Sequence, residues 1–399
     1  MIPDVQSYQG VSLDIKKSVM TTLSKKLRLK LPLILEANRI DLSKMEPNEP
    51  KTDRLMINDN RMRAICAAID HLVMRCPDLV GRVLETKFLH NHLTLVKETV
   101  PLGVVGIIYE SRPNVTIDAF IHTFLSGNGC VLKGGKEALH TNTCFINIIH
   151  ECLQDHGLDP KGVVLLYGGR DDVLNMCHAY GKIDVIIPRG GQELITFVRE
   201  NSVIPVIETG AGVVHCYVDE SADIGMATQL IYNSKARRTS VCNALDTLVI
   251  HVSLLNQLPV LLQPLSDLGC VFLCDQDSLS YVKNGHPLIT HGIEHLSLAL
   301  SICTVQNLGQ AIDYIQTYTS HHSEMIVTSS IESADYFMTH IDAACVYHNA
   351  STAFSDGGEF DLGGEIGIST QKMHVRGPFG MESLLSYKWK IYGHGHTRI

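Results

Sequence analysis

Apolar positions in the first part of the chain recur at helical spacing. Leu13, Ile15, Val19, Leu23, Leu27 and Leu31 predict a helix over 11–37, and Met62, Ile65, Ala68, Ile69 and Leu72 a second at 60–75. A polar, proline-marked loop, 46–52, separates them. From Leu93 the pattern changes. Residues 94–103 read as an exposed strand or arm, and short apolar runs then alternate with helical stretches. Strands are expected at Val104–Tyr109, Gly129–Lys133, Val163–Tyr167, Asp184–Pro188 and Ile204–Ile207, with helices at 116–126, 136–154, 171–180 and 191–200. This alternation predicts a parallel sheet covered on both faces, an α/β fold. A second α/β pattern runs from Val213 to Leu384, with a helix at 221–236, a strand at 246–252, and helices near 308–318 and 331–340. The alternating run Tyr387–Tyr392 reads as a strand able to pair.

Composition narrows the class. At 399 residues the chain exceeds one simple core, and 45% hydrophobic with 19% charged residues is ordinary for a globular protein. A net charge of −9 without a long basic tract argues against nucleic acid as a partner. No apolar run approaches the ~20 residues that span a bilayer, and no signal peptide is evident at the N-terminus. The 12 cysteines form no CxxC pair and the histidines show no ligand spacing. A reduced, cytoplasmic protein without membrane or metal is expected.

One thiol stands apart. Cys242 follows Lys235, Arg237 and Arg238 and precedes a β-branched run, whereas Cys130, Cys144, Cys216, Cys270 and Cys303 lie among Val, Leu, Ile or Phe, where burial leaves a thiol inert. The thiolate is the nucleophilic form, and nearby cations favour it. Two glycine pairs, Gly134-Gly135 beside Lys133 and Lys136, and Gly190-Gly191 after Arg189, each follow a strand and open a helix. Free N–H groups there bind anions, and two such junctions in one sheet suggest a nucleotide site, although the G-x-G-x-x-G fingerprint is absent. Asn114 lies on a loop leaving a parallel strand, where α/β proteins place their sites. It reads either as a helix cap or as an amide donor to an oxyanion.

Several runs carry a resemblance to a known family. They are 101–116 (Pro-Leu-Gly-Val-Val-Gly-Ile-Ile-Tyr-Glu-Ser-Arg-Pro-Asn-Val-Thr), 132–138, 186–191, 217–223, 242–248, 349–360 and 365–378. In order and over nearly the whole chain, they resemble the gamma-glutamyl phosphate reductases (glutamate-5-semialdehyde dehydrogenases) of the aldehyde dehydrogenase superfamily. The resemblance implies an aldehyde dehydrogenase-like α/β fold. A parallel-sheet NADP-binding domain would take 1–87 and 104–210, and an α/β catalytic domain 211–383. A small β oligomerisation element would take 88–103 and 384–399. It also implies NADPH-dependent reduction of L-glutamyl 5-phosphate to L-glutamate 5-semialdehyde, the second step of proline biosynthesis from glutamate. Phosphate would leave as a thioester forms on Cys242. A homo-oligomer is implied, and the glutamate 5-kinase that makes the labile acyl phosphate is a candidate channelling partner.

By the same likeness, Asn114 and the backbone N–H of Cys242 form the oxyanion hole. Lys133 holds the adenosine ribose, Lys136 the 2′-phosphate that distinguishes NADP, Gly190 and Gly191 face the pyrophosphate, and Glu294 holds the nicotinamide ribose. Three departures bear on this. Ala353 replaces the family's arginine in Asn-Ala-Ser-Thr-Arg-Phe, leaving Arg238, Arg376 and Lys372 to bind the anionic substrate. Thr239 replaces a proline before the nucleophile. Glu208 precedes Cys242 at about the interval where aldehyde-oxidising relatives keep a water-activating glutamate, and it reads either as that base or as a loop residue. With that base the chain would instead be a hydrolytic NAD(P)-dependent aldehyde dehydrogenase.

Overall fold

The N-terminal helical pattern is two helices, Leu13–Leu29 and Leu31–Leu42, and not the single one its periodicity predicts. Lys30 leaves helical geometry at the break, and Pro32 sits in the first turn of the second helix. A missing N–H costs nothing at that position. The computed structural model describes residues 2–46, 51–362 and 364–398, so most of the proline-marked loop lies outside the described residues. Two units emerge: residues 1–209, 361–367 and 379–399, and residues 210–360 and 368–378.

The first unit is built on a four-stranded parallel sheet in the order Val163–Leu165, Gly129–Lys133, Val104–Tyr109, Val185–Arg189. Val104–Tyr109 and Gly129–Lys133 are buried along their whole length, as parallel strands covered on both faces must be. Helix Asn114–Leu125 is correspondingly apolar nearly all round. The chain moves outward from Val104–Tyr109 in one direction, then returns to pair Val185–Arg189 on its other side. That reversal is a topological switch point, and the loops leaving the carboxyl ends there are 110–113 and 190–191. The run Ile204–Ile207 makes only a bridge, between Val206 and Ile186. Pro205, which has no N–H to donate, stops the expected strand from extending.

A separate three-stranded antiparallel sheet joins Val83–Phe88, Thr94–Pro101 and Leu385–Tyr392, with Thr94–Pro101 in the middle. The alternation at Tyr387–Tyr392 thus does form a strand. Val83–Phe88 escaped sequence reading because it is exposed almost throughout and a register shift near Val83 breaks its alternation.

The second unit holds a seven-stranded parallel sheet in the order His286–Pro287, Val271–Cys274, Ala299–Val305, Thr247–His251, His215–Val218, Ser323–Val327, Cys345–His348. Helices Ile224–Ala236 and Leu258–Asp267 pack one face, burying Ile231, Leu258, Leu261 and Leu265 against Leu248, Ile250 and Ile302. Helices Leu308–Tyr318 and Ile331–His340 supply Ile312, Ile315 and Phe337 to the other. Among the described residues no helix is long and apolar enough to cross a membrane, and no cluster of three His, Cys, Asp or Glu could hold a metal ion.

Candidate active site

In the first unit, three loops leave the carboxyl ends of adjacent strands: 110–113, 134–138 and 190–191. Lys133 is buried at a strand end and its Nζ donates to Gly134 O at 2.7 Å; burial lowers its pKa. Lys136 is exposed, as are Gly190 and Gly191. The Gly191 N–H, at the start of helix Gln192–Asn201, donates to Glu110 Oε2 at 3.0 Å. A carboxylate of the chain itself therefore takes the helix N-terminus, where free N–H groups favour an anion. A Cβ on Gly190 would lie 2.7 Å from both Glu110 Oε2 and Leu194 Cδ2.

Asn114 opens the helix that follows the switch-point loop. Its Nδ2 donates to Asp118 Oδ2 at 3.0 Å, one turn along. An amide nitrogen carries two hydrogens, so this bond uses one to orient the group and leaves the other to donate. Burial pushes the Asp118 carboxyl up to about 6, against the hydrogen bond from Asn114 and the charge of Arg189. Glu208 is mostly buried, and Arg199 Nη1 lies 3.5 Å from its Oε2.

In the second unit, Cys242 lies at the amino edge of the large sheet, in the loop between helix Ile224–Ala236 and strand Thr247–His251. The fold rule for open α/β sheets favours carboxyl edges, so residue chemistry located this thiol. Cys242 and Cys144 are half-buried and the other ten cysteines are buried. Burial pushes Cys130, Cys152 and Cys303 up to about 12.

The cationic neighbours that singled out Cys242 separate in the structure. Arg237 and Arg238 are exposed, but Lys235 is fully buried, with Nζ 3.7 Å from Asp246 Oδ1. Its charge answers Asp246, whose carboxyl burial pushes up to about 6. The run that precedes the thiol is largely exposed and the run that follows it is buried.

Gly212 presses on the nucleophile segment: a Cβ there would lie 1.6 Å from Cys242 O and 2.7 Å from its Cα. The Gly212 N–H donates to Glu294 Oε1 at 3.0 Å, and burial raises the pKa of Glu294. Arg376 Nη2 donates to Asp342 Oδ1 at 2.7 Å, and Lys372 pairs with the other oxygen of the same carboxylate. Of the three substrate-binding candidates, Arg376 and Lys372 thus share one acid, Asp342, while Arg238 is exposed in the run that precedes the thiol.

A cleft of about 510 Å³ opens between the helix leading to Cys242 and the segment 349–354, lined by Gln229, Tyr232, Asn233, Asn349, Ser351 and Phe354. Ala353 is buried within the same turn. Sequence reading missed the roles of Gly212 and Asp118. A glycine opening an apolar strand was the available signal for close backbone approach at Gly212.

The fold and these residues belong together in known proteins. The aldehyde dehydrogenase family model matches residues 21–263, and the chain belongs to that family. Within it, the chain is a member of the gamma-glutamyl phosphate reductases. It is 48% identical to the Chlorobaculum parvum protein of that name over 373 residues, 92% of this chain and 89% of the relative. Identity to the Legionella pneumophila protein is 46% over 393 residues, 96% and 94% of the two chains. The crystal structure of the Thermotoga maritima reductase superposes with a TM-score of 0.95 at 37% identity, covering 98% of this chain and 96% of that one. An acetylating aldehyde dehydrogenase from Geobacillus thermoglucosidasius shares the fold, with a TM-score of 0.70 at 15% identity. The family makes the chain an oxidoreductase that uses a nicotinamide cofactor.

Proposed function

We propose that this chain reduces L-glutamyl 5-phosphate to L-glutamate 5-semialdehyde with NADPH, through a thioester on Cys242. The carrying observation is the half-buried thiol of Cys242, set where exposed chain gives way to core, in a chain whose relatives are named for that substrate. The thiolate attacks the acyl carbon. A C–S bond forms, the bond to phosphate breaks, and its electron pair leaves with phosphate. The Asn114 amide and the Cys242 backbone N–H donate to the developing oxyanion, each such donor being worth ~3 kcal/mol in the transition state. When bound, the nicotinamide supplies hydride to the acyl carbon, and Cys242 leaves as thiolate with the C–S electron pair.

The first unit is assigned to the cofactor. Lys133 takes the adenosine ribose, Gly190 and Gly191 the pyrophosphate, and Glu294 of the second unit the nicotinamide ribose. The Gly191 N–H already holds a carboxylate, which supports an anion there. Lys136, an exposed cation in the loop after strand Gly129–Lys133, suits a 2′-phosphate and so NADP. Arg238 is the first choice for the substrate's anionic groups, with Arg376 and Lys372 behind it because Asp342 engages both. The cleft beside Phe354 is assigned to the glutamyl portion.

The hydrolytic alternative needs Glu208 as a water-activating base, and its engagement by Arg199 argues against that role. The three-stranded sheet, exposing Phe88 and Ile391, is assigned to contact with a second copy. Glutamate 5-kinase remains the proposed supplier, and the cytoplasm the proposed compartment.

The test is Cys242→Ala, assayed with semialdehyde, NADP+ and phosphate. Turnover is expected to fall by at least about a thousandfold while NADPH binding and Tm hold. A variant that keeps its turnover contradicts the thioester.

A further inference from the structure

Asn243, the residue after the nucleophile, is buried to 5% exposure and forms hydrogen bonds through both its backbone and its side chain. Its backbone carbonyl accepts from Thr352 Oγ1 at 2.8 Å. Its side-chain Nδ2 donates to Ser355 O at 3.0 Å and to Ala353 O at 3.3 Å. All three partners lie on or beside one tight turn, Thr352–Phe354, and Thr352 and Ser355 are themselves buried.

That turn is anchored on two sides. Ser351 Oγ is 2.8 Å from Ser234 Oγ, on the helix that leads to the thiol. Ser355 Oγ is 2.7 Å from Tyr347 OH and 2.5 Å from Ser323 Oγ, which in turn meets His322 Nδ1 at 2.8 Å. The chain closes tightly around the thiol, with Ala244 N donating to Val241 O at 3.1 Å. Residues 237–240, before the thiol, are mostly exposed, whereas Asn243, directly after it, is buried.

We propose that Asn243 is a positioning residue: gripped by the Thr352–Ser355 turn, it fixes the direction in which Cys242 is presented and so sets the rate of acyl transfer. Three bonds of opposing polarity, one to the main chain and two from the amide, fix the peptide in translation and rotation together. An apolar residue at 243 would strip the Ala353 and Ser355 carbonyls of these donors, so the amide ties the residue after the thiol to the turn. Position 353 takes part through main-chain groups: its carbonyl accepts from Asn243, and its N–H donates to Ser351 Oγ at 3.2 Å.

The proposal rests on Cys242 being the nucleophile, and its test separates the two. In the full-length enzyme, Asn243→Asp keeps the shape but turns a donor toward two carbonyls into an acceptor. Thr352→Val removes the hydroxyl at constant shape, and Thr352→Ser keeps it. Asn243→Asp is expected to lower kcat about a hundredfold, the effect of an ångström-scale misplacement. Thr352→Val is expected to lower it about tenfold. In both, KM for NADPH stays unchanged, and Thr352→Ser restores kcat. A fold defect would instead lower Tm and active fraction together, with no recovery in Thr352→Ser. Wild-type kcat in Asn243→Asp and Thr352→Val, or losses that track Tm, overturn the proposal while an inactive Cys242→Ala keeps the thioester. Turnover surviving in Cys242→Ala overturns the thioester reading and the clamp with it.

Discussion

Gly212 leaves no room for a side chain. A Cβ would overlap the backbone of Cys242, its carbonyl oxygen and Cα alike, and backbone cannot swing aside as a flexible side chain does. Gly212→Ala is expected to displace the nucleophile segment, lowering kcat about a hundredfold and stability by ~1–3 kcal/mol. Steady-state kinetics beside a denaturant titration check both, and an active, fully stable variant shows that the segment yields more easily than its packing indicates. The thiol itself was legible because a cationic run set it apart from eleven others. One part of that signal misled. Lys235, read from the sequence as a neighbour that stabilises thiolate, is sunk in the core against Asp246, because an ion pair across the loop is invisible to a residue count.

At the scale of elements, helix Asn114–Leu125 carries a titratable brace for its own first residue. Burial raises the Asp118 carboxyl from an ordinary 3.8 to about 6, so between those values the folded chain binds more protons than the unfolded one. Its contribution to stability is full below pH 4 or so and is lost as pH rises toward ~6. Activity runs the other way, since the ionised carboxylate is the better acceptor for Asn114. The kcat of the wild type is expected to fall below about pH 6, and Asp118→Asn to lose that acid limb while its stability no longer declines between pH 4 and 6. Superimposable pH profiles for the two proteins would remove Asp118 from the account. The sequence showed most elements through their periodicity. It failed at the Lys30 break, at the Pro205 run and at strand Val83–Phe88, where respectively a helix start, a missing N–H and solvent exposure override the pattern. The hydrogen bonds of Asn243 were beyond reach, for they join residues more than a hundred positions apart.

For the whole molecule, the proposed reaction requires that phosphate, not water, receives the acyl group when it runs in reverse. Glu208 is the residue on which the opposite outcome depends, and Arg199 engages it. The direct measurement is NADPH formation from glutamate semialdehyde and NADP+, followed with and without phosphate. Without phosphate, about one equivalent of NADPH per active site is expected and then arrest, with the acyl group held on Cys242. Adding phosphate restores steady turnover. Sustained turnover that ignores phosphate would contradict the account and establish a hydrolytic dehydrogenase.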